Sequence, residues 1–292
     1  MRISIIAKPS APEALKQLRE AVADLRAAGH QVRPRMTFDE NDATRFAMQA
    51  ARKGADVIIA AGGDGTINQV VNGIVQAGAP HPRLAVVPLG TANDFAKGLS
   101  IPEDVKAAVA LAASGHAVPV DIAAVNDRYF INVSTGGFGP DITEESSTKL
   151  KRRFGKLAYL FTAMRKITHL EPYRAKFEAD GKIVYDGPFF FYAVGNARQT
   201  GGGTPVTPHA DFSDAQLDLA VFAGDKRRDF LALLPELRAG NHPHDADVVY
   251  LKARDIRVRG ELDFAVNADG EPLRGSEFAY RLLGDRICVM KP

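Results

Sequence analysis

Asp56-Val57-Ile58-Ile59-Ala60-Ala61-Gly62-Gly63-Asp64-Gly65-Thr66-Ile67-Asn68 and Leu84-Ala85-Val86-Val87-Pro88-Leu89-Gly90-Thr91-Ala92-Asn93-Asp94-Phe95 decide how this chain reads. Each opens on an apolar run of the length of one buried strand and breaks into a glycine turn. Consecutive strands of an open parallel sheet end on the same edge, so both turns are expected to face one crevice. Glycine lacks a Cβ and lets a phosphate approach the main chain, and amides at the start of a following helix favour its charge. Thr66 adds a hydroxyl, and Asp64 a carboxylate suited to holding Mg²⁺ or orienting an attacking group. The Gly-Lys-Ser/Thr ending of a Walker loop is missing, so this phosphate cradle is of another type. The reading is a nucleotide binder.

Working outward, strand and helix signals alternate. A strand at 3–7 precedes a helical stripe through Leu15, Leu18, Val22 and Leu25 that stops at Gly29. A strand at 31–37 leads to a helix at 42–53 closed by Gly54; further helices are expected at 66–76 and 103–113. This pattern predicts an α/β parallel-sheet domain over 1–120. Beyond it, short alternating runs take over at 121–125, 129–133, 174–179, 182–185, 188–194, 217–222, 248–252, 255–258 and 262–266. They predict a largely β domain, a sandwich or barrel, over 121–279, with a hairpin at Asp180-Gly181. Whether the tail 280–292 packs back on the first domain stays open.

Composition narrows the function classes. Lys and Arg total 37 against 35 acids, a formal charge of +2, which does not suggest a general nucleic-acid binder. The lone Cys288 excludes an internal disulfide, fits a reducing cytoplasm, and reads as a core thiol in Ile287-Cys288-Val289-Met290. No apolar run reaches the roughly 18 residues that span a bilayer, so any meeting with a membrane is expected at its surface. One segment suits that role. Between 147 and 170, Leu150, Phe154, Leu157, Phe161 and Met164 mark one helical face. Lys149, Lys151, Arg152, Arg153, Lys156, Arg165 and Lys166 add positive charge with no acid among them. Such a segment serves equally as a core helix with a solvated basic face. The histidines of 241–247 read as a polar loop, and Asn132-Val133-Ser134 as a glycosylation signal without a route to that chemistry.

With Phe130-Ile131-Asn132, Thr135-Gly136-Gly137-Phe138-Gly139, Gly195-Asn196, Gly201-Gly202-Gly203 and Asp269-Gly270-Glu271-Pro272-Leu273 added, the chain resembles the diacylglycerol-kinase-type lipid kinases, in their bacterial YegS-like branch. The resemblance implies a two-domain, ATP-dependent enzyme that phosphorylates a hydroxyl of a membrane lipid, of the diacylglycerol or phosphatidylglycerol class. It implies ATP contacts at Thr37, Gly63, Asp64, Gly65, Thr66, Ile67, Asn68, Gln69 and Thr91. It implies a general base at Glu271, with Asp269 beside it, and a Mg²⁺ or Ca²⁺ loop at 211–216. There Asp214 supplies a carboxylate, and Asp211 and Gln216 chiefly main-chain oxygens. Phosphoryl transfer needs such parts: phosphate positioning, charge neutralisation and a carboxylate to take the hydroxyl proton.

Two departures from the family pattern stand out. Lys8 takes the place of an asparagine after the first strand, and Gln69 that of a glutamate after the first glycine turn. An NAD kinase shares that turn, and a non-catalytic nucleotide- or lipid-binding module would share the scaffold. The second glycine turn opposes the former, and the carboxylates at Asp64, Asp269 and Glu271 oppose the latter.

Overall fold

The computed structural model describes residues 1–9, 11–78, 80–138 and 170–292. The basic segment 147–170 therefore lies, except for Leu170, outside the described residues. The chain forms two compact units: Met1–Ile122 with Gly201–Gly203 and Leu283–Pro292, and Ala123–Thr200 with Thr204–Leu282.

In the first unit, β1 (Arg2–Ala7), β2 (Gln31–Met36), β3 (Val57–Gly62) and β4 (Arg83–Pro88) run parallel in the order β2-β1-β3-β4. All six residues of β3 are buried, as expected of a central strand covered on both faces. Helices α1 (Pro12–Ala27) and α5 (Val105–Ser114) pack together, as do α2 (Asp42–Arg52) and α3 (Asp64–Ala77). Right-handed crossovers require this division. The chain moves from β1 to β2 in one direction and from β2 through β3 to β4 in the other, so α1 falls on one face and α2 and α3 on the opposite one. Gly73 makes the α2–α3 approach possible, because a Cβ there would stand 2.2 Å from the Thr44 carbonyl oxygen. A five-residue helix that the periodicity does not disclose, α4 (Asp94–Gly98), follows the second glycine turn.

In the second unit the strands are antiparallel, and their long members change partner midway. They are β5 (His116–Val125, begun in the first unit), β6 (Arg128–Phe130), β7 (Val133–Gly137), β8 (Tyr173–Ala179) and β9 (Lys182–Gly195). Then come β10 (Leu217–Ala223), β11 (Val248–Ala253), β12 (Asp255–Ala268) and β13 (Glu271–Lys291), whose end belongs to the first unit. The first half of β9 pairs with β8 and the second half with β7 and β10. Likewise β12 pairs with β8 at 256–260 and with β7 at 266–268, across a register shift between Arg259 and Phe264. Strands that pass from one sheet to another through such irregularities wrap a sandwich around its core. Phe177, Phe189, Tyr192, Phe264, Phe278 and Tyr280 fill it, with Phe177 and Phe189 edge to face at 5.2 Å. A smaller core forms where α6 (Arg227–Ala232) and α7 (Leu234–Ala239) press Phe230 and Leu233 on Phe190 and Phe222.

Three sequence expectations change. The runs 182–185 and 188–194 are one strand, and 255–258 and 262–266 another. Cys288 is exposed rather than in the core: strand alternation turns Ile287 and Val289 inward and Cys288 out. His242 is no part of a polar loop. It is fully buried, stacks on Phe222 at 5.2 Å and bonds through Nε2 to the Val206 carbonyl at 3.0 Å. Burial holds its pKa below the usual histidine value.

Candidate active site

The carboxyl ends of β1, β2, β3 and β4 share one edge of the first unit, since Ala7 registers with Met36 and Ala61, and Gly62 with Pro88. The order β2-β1-β3-β4 reverses direction between β1 and β3. Beside such a reversal, at the carboxyl ends of the strands, open α/β sheets bind ligands. The turn Gly63-Asp64-Gly65 leaves β3 at this point. Thr37 follows β2 on the same edge, its amide bonded to the Ala7 carbonyl at 2.9 Å. Thr91 is exposed in the turn after β4. The residues expected at a nucleotide are thus gathered on one edge.

Their individual placements differ. A Cβ on Gly63 would lie 3.1 Å from Gly90 Cα, and one on Gly90 2.5 Å from Gly63 Cα, so the two turns pack main chain on main chain. Gly65 is exposed with nothing within 4 Å of a Cβ position, which leaves the start of α3 open to a phosphate. Thr66 is buried beneath this turn, with its side chain against the α-carbon of Gly62. Ile67 is fully buried and Asn68 nearly so, its Oδ1 accepting Asn72 Nδ2 at 2.9 Å. Gln69 offers its carbonyl to Thr44 at 3.0 Å. These four build the turn from below, while Gly63, Asp64 and Gly65 form its face.

Asp64 has a defined structural partner. Its Oδ1 accepts the Phe95 amide at 3.0 Å, tying the first glycine turn to the start of α4. The second turn closes on itself, Gly90 N to Asn93 Oδ1 at 2.9 Å and Asn93 Nδ2 to the Gly90 carbonyl at 3.1 Å. Asn93 takes φ 53°, a left-handed conformation that asparagine tolerates. Asp94 Oδ2 accepts the Gly202 amide at 2.9 Å, which draws the triple-glycine loop onto the same unit.

One residue on this edge carries no sequence signal. Phe38, next to Thr37, is 84% exposed. Its backbone is fixed, because Asp42 Oδ2 accepts the Phe38 and Asp39 amides at 2.9 and 3.1 Å. The Phe38 amide, then Arg45 and the Asp39 amide, hold the Asp42 carboxyl down at about 2.

In the second unit, Asp269-Gly270 is the two-residue turn between β12 and β13, with φ of 49° and 95°. Asp269 accepts the Ile131 amide at 2.7 Å, the Asn132 amide at 3.1 Å and the Val133 amide at 3.1 Å. Asn196 holds the same bend from its other side, donating Nδ2 to the Ile131 carbonyl and its amide to the Asn132 carbonyl, both at 2.9 Å. Three motifs far apart in sequence, at 130–132, 195–196 and 269–271, thus form one clamp. With both oxygens engaged by amides, Asp269 serves as an anchor for the turn. Glu271, first residue of β13, is exposed. Asn132 is 4% exposed, so the glycosylation signal is inaccessible.

The loop expected to hold a cation is also described. Asp211 Oδ1 accepts the Ser213 amide and hydroxyl at 2.9 and 2.8 Å. Asp214 Oδ1 accepts the Gln216 amide at 3.0 Å, and its Oδ2 lies 2.6 Å from Lys252 Nζ. This donor set does not fit Mg²⁺ or Ca²⁺, because an ammonium already takes the acidic oxygen that would bind the ion. Among the described residues no group of three or more His, Cys, Asp or Glu side chains is placed to hold a metal.

The model of the diacylglycerol kinase catalytic domain matches residues 2–125, and that of the YegS C-terminal NAD kinase beta sandwich-like domain matches 134–287. The "Probable lipid kinase YegS-like" of Klebsiella pneumoniae (strain 342) is 38% identical over 280 residues, 94% of this chain and 92% of the relative. Two solved chains from Bacillus anthracis str. Sterne superpose over all of this one. One is 25% identical, at TM-score 0.83 over 95% of its own length. The other, described as a diacylglycerol kinase, is 23% identical, at 0.76 over 96% of its length.

Proposed function

Because the chain belongs to the YegS-like lipid kinases, which carry a diacylglycerol kinase catalytic domain, we propose that it transfers the γ-phosphoryl group of ATP to a membrane-lipid hydroxyl. The acceptor class is diacylglycerol or phosphatidylglycerol. The observation that carries this reading is the pair of glycine turns packed main chain on main chain at the carboxyl ends of β3 and β4, with Gly65 open to an anion. In this reading amides at the start of α3 receive phosphate oxygens, Asp64 positions the second turn, and Phe38 offers an aromatic face to the base. The Mg²⁺ that accompanies ATP is part of the substrate and neutralises phosphate charge. Glu271 accepts the proton of the attacking hydroxyl, held in place by the Asp269 anchor behind it.

No helix among the described residues is long and apolar enough to cross a membrane, so the lipid is proposed to be met at the bilayer surface, with segment 147–170 as the contact. The test is transfer of label from γ-labelled ATP to mixed micelles that each contain one lipid class. Labelled diacylglycerol or phosphatidylglycerol is expected. Labelled NAD with unlabelled lipids contradicts the reading, and ATP binding without transfer to any acceptor makes the chain a binding module.

A further inference from the structure

The loop at 211–216 holds a positive charge of its own. Asp218, directly after this loop on β10, is fully buried and registers opposite Lys252 of β11. Facing residues of an antiparallel pair project on the same side of the sheet, which brings Lys252 to the loop from a distant part of the chain. Its Nζ lies 2.6 Å from Asp214 Oδ2, 3.1 Å from Asp218 Oδ2 and 2.9 Å from the His209 carbonyl. The Asp214 and His209 oxygens accept hydrogen bonds from it, and the Asp218 oxygen forms an ion pair with it. The other Asp218 oxygen, Oδ1, accepts the Tyr250 hydroxyl at 2.7 Å.

We propose that Lys252 is the resident cation of this loop, standing where a divalent ion would otherwise join Asp214 to the main chain. Mg²⁺ or Ca²⁺ needs six or more oxygens at about 2.0–2.6 Å. An ion at that distance from Asp214 Oδ2 would share the oxygen with a full positive charge. The protein's own ammonium therefore holds Asp214, and the loop closes without a divalent ion.

The test uses the full chain without nucleotide. Melting temperature is recorded in EDTA and in Mg²⁺ or Ca²⁺, and Tb³⁺ alone is titrated with tyrosine-sensitised emission as the readout. The chain has no Trp, and Tyr250 stands next to the site. Wild type is expected to melt at the same temperature in both conditions and to show no emission that Asp214→Asn removes. Lys252→Ala is expected to melt lower in EDTA, to recover saturably with Ca²⁺, and to gain Tb³⁺ emission that Asp214→Asn then abolishes. A wild-type response to divalent ions that Asp214→Asn abolishes overturns the proposal, and this comparison decides even if Lys252→Ala fails to fold. A folded Lys252→Ala that gains no cation response also overturns it.

Discussion

Two Asp-Gly hairpins in the second unit differ in almost nothing that the backbone records. Asp180-Gly181 turns at φ 47° and 78°, Asp269-Gly270 at 49° and 95°. Both are the primed turns that match the twist of the strands they join. In both, the aspartate reaches off its turn to amides of a neighbouring segment. Asp180 Oδ1 takes those of Arg254 and Asp255 at 3.0 Å each, and Asp269 takes three, from Ile131 to Val133. The next residue is Lys182 in one and Glu271 in the other, both exposed. An Asp-Gly pair therefore specifies a turn and its anchor, and in the proposed reading the residue after it sets the two hairpins apart.

The largest expected effect separates the two hairpins outright. Glu271→Gln should lower kcat by about 10²–10⁴, the range for losing a general base, with the melting temperature unchanged. Lys182→Gln should alter neither quantity. Equal losses from both variants would make the contrast meaningless.

The anchors come next. Asp269→Ala leaves three partly buried amides without acceptors and should cost about 2–4 kcal/mol in urea unfolding. Asp269→Asn, which keeps an acceptor and tolerates positive φ, should cost less. If Asp269→Asn instead abolishes turnover at full stability, Asp269 is the base and Glu271 is not. Asp180→Ala releases two amides at an exposed turn that water can reach, and should cost about 1 kcal/mol with kcat unchanged. The smallest difference lies in the glycines. Gly181→Ala and Gly270→Ala should each cost roughly 1–2 kcal/mol for a left-handed alanine. Only the second should also lower kcat, by displacing Glu271.

The same contrast shows what sequence could and could not disclose. Both Asp-Gly turns were legible, because two adjacent residues carry the whole signal. So were the buried strands before Gly62 and Gly90 and the helices between them, whose periodicity is local. The Asp269 anchor was not, since its partners at 131–133 are more than 130 residues away. Lys252 was hidden for the same reason, as only the register of β10 with β11 brings it to Asp214. The long β13 escaped notice because Arg274, Glu277 and Arg281 interrupt its apolar alternation, and Cys288 was misjudged because its neighbours are apolar. Phe38 is exposed where composition would bury it, and only coordinates reveal that.

In the proposed reading Glu271 is the base of an ATP-dependent lipid kinase. This role is tested most directly by single-turnover transfer from γ-labelled ATP to lipid micelles, comparing wild type with Glu271→Gln at equal ATP occupancy. Wild type is expected to label one lipid class rapidly, and the variant to be slower by at least about 10² with ATP affinity preserved. Equal rates in the two proteins would contradict that reading.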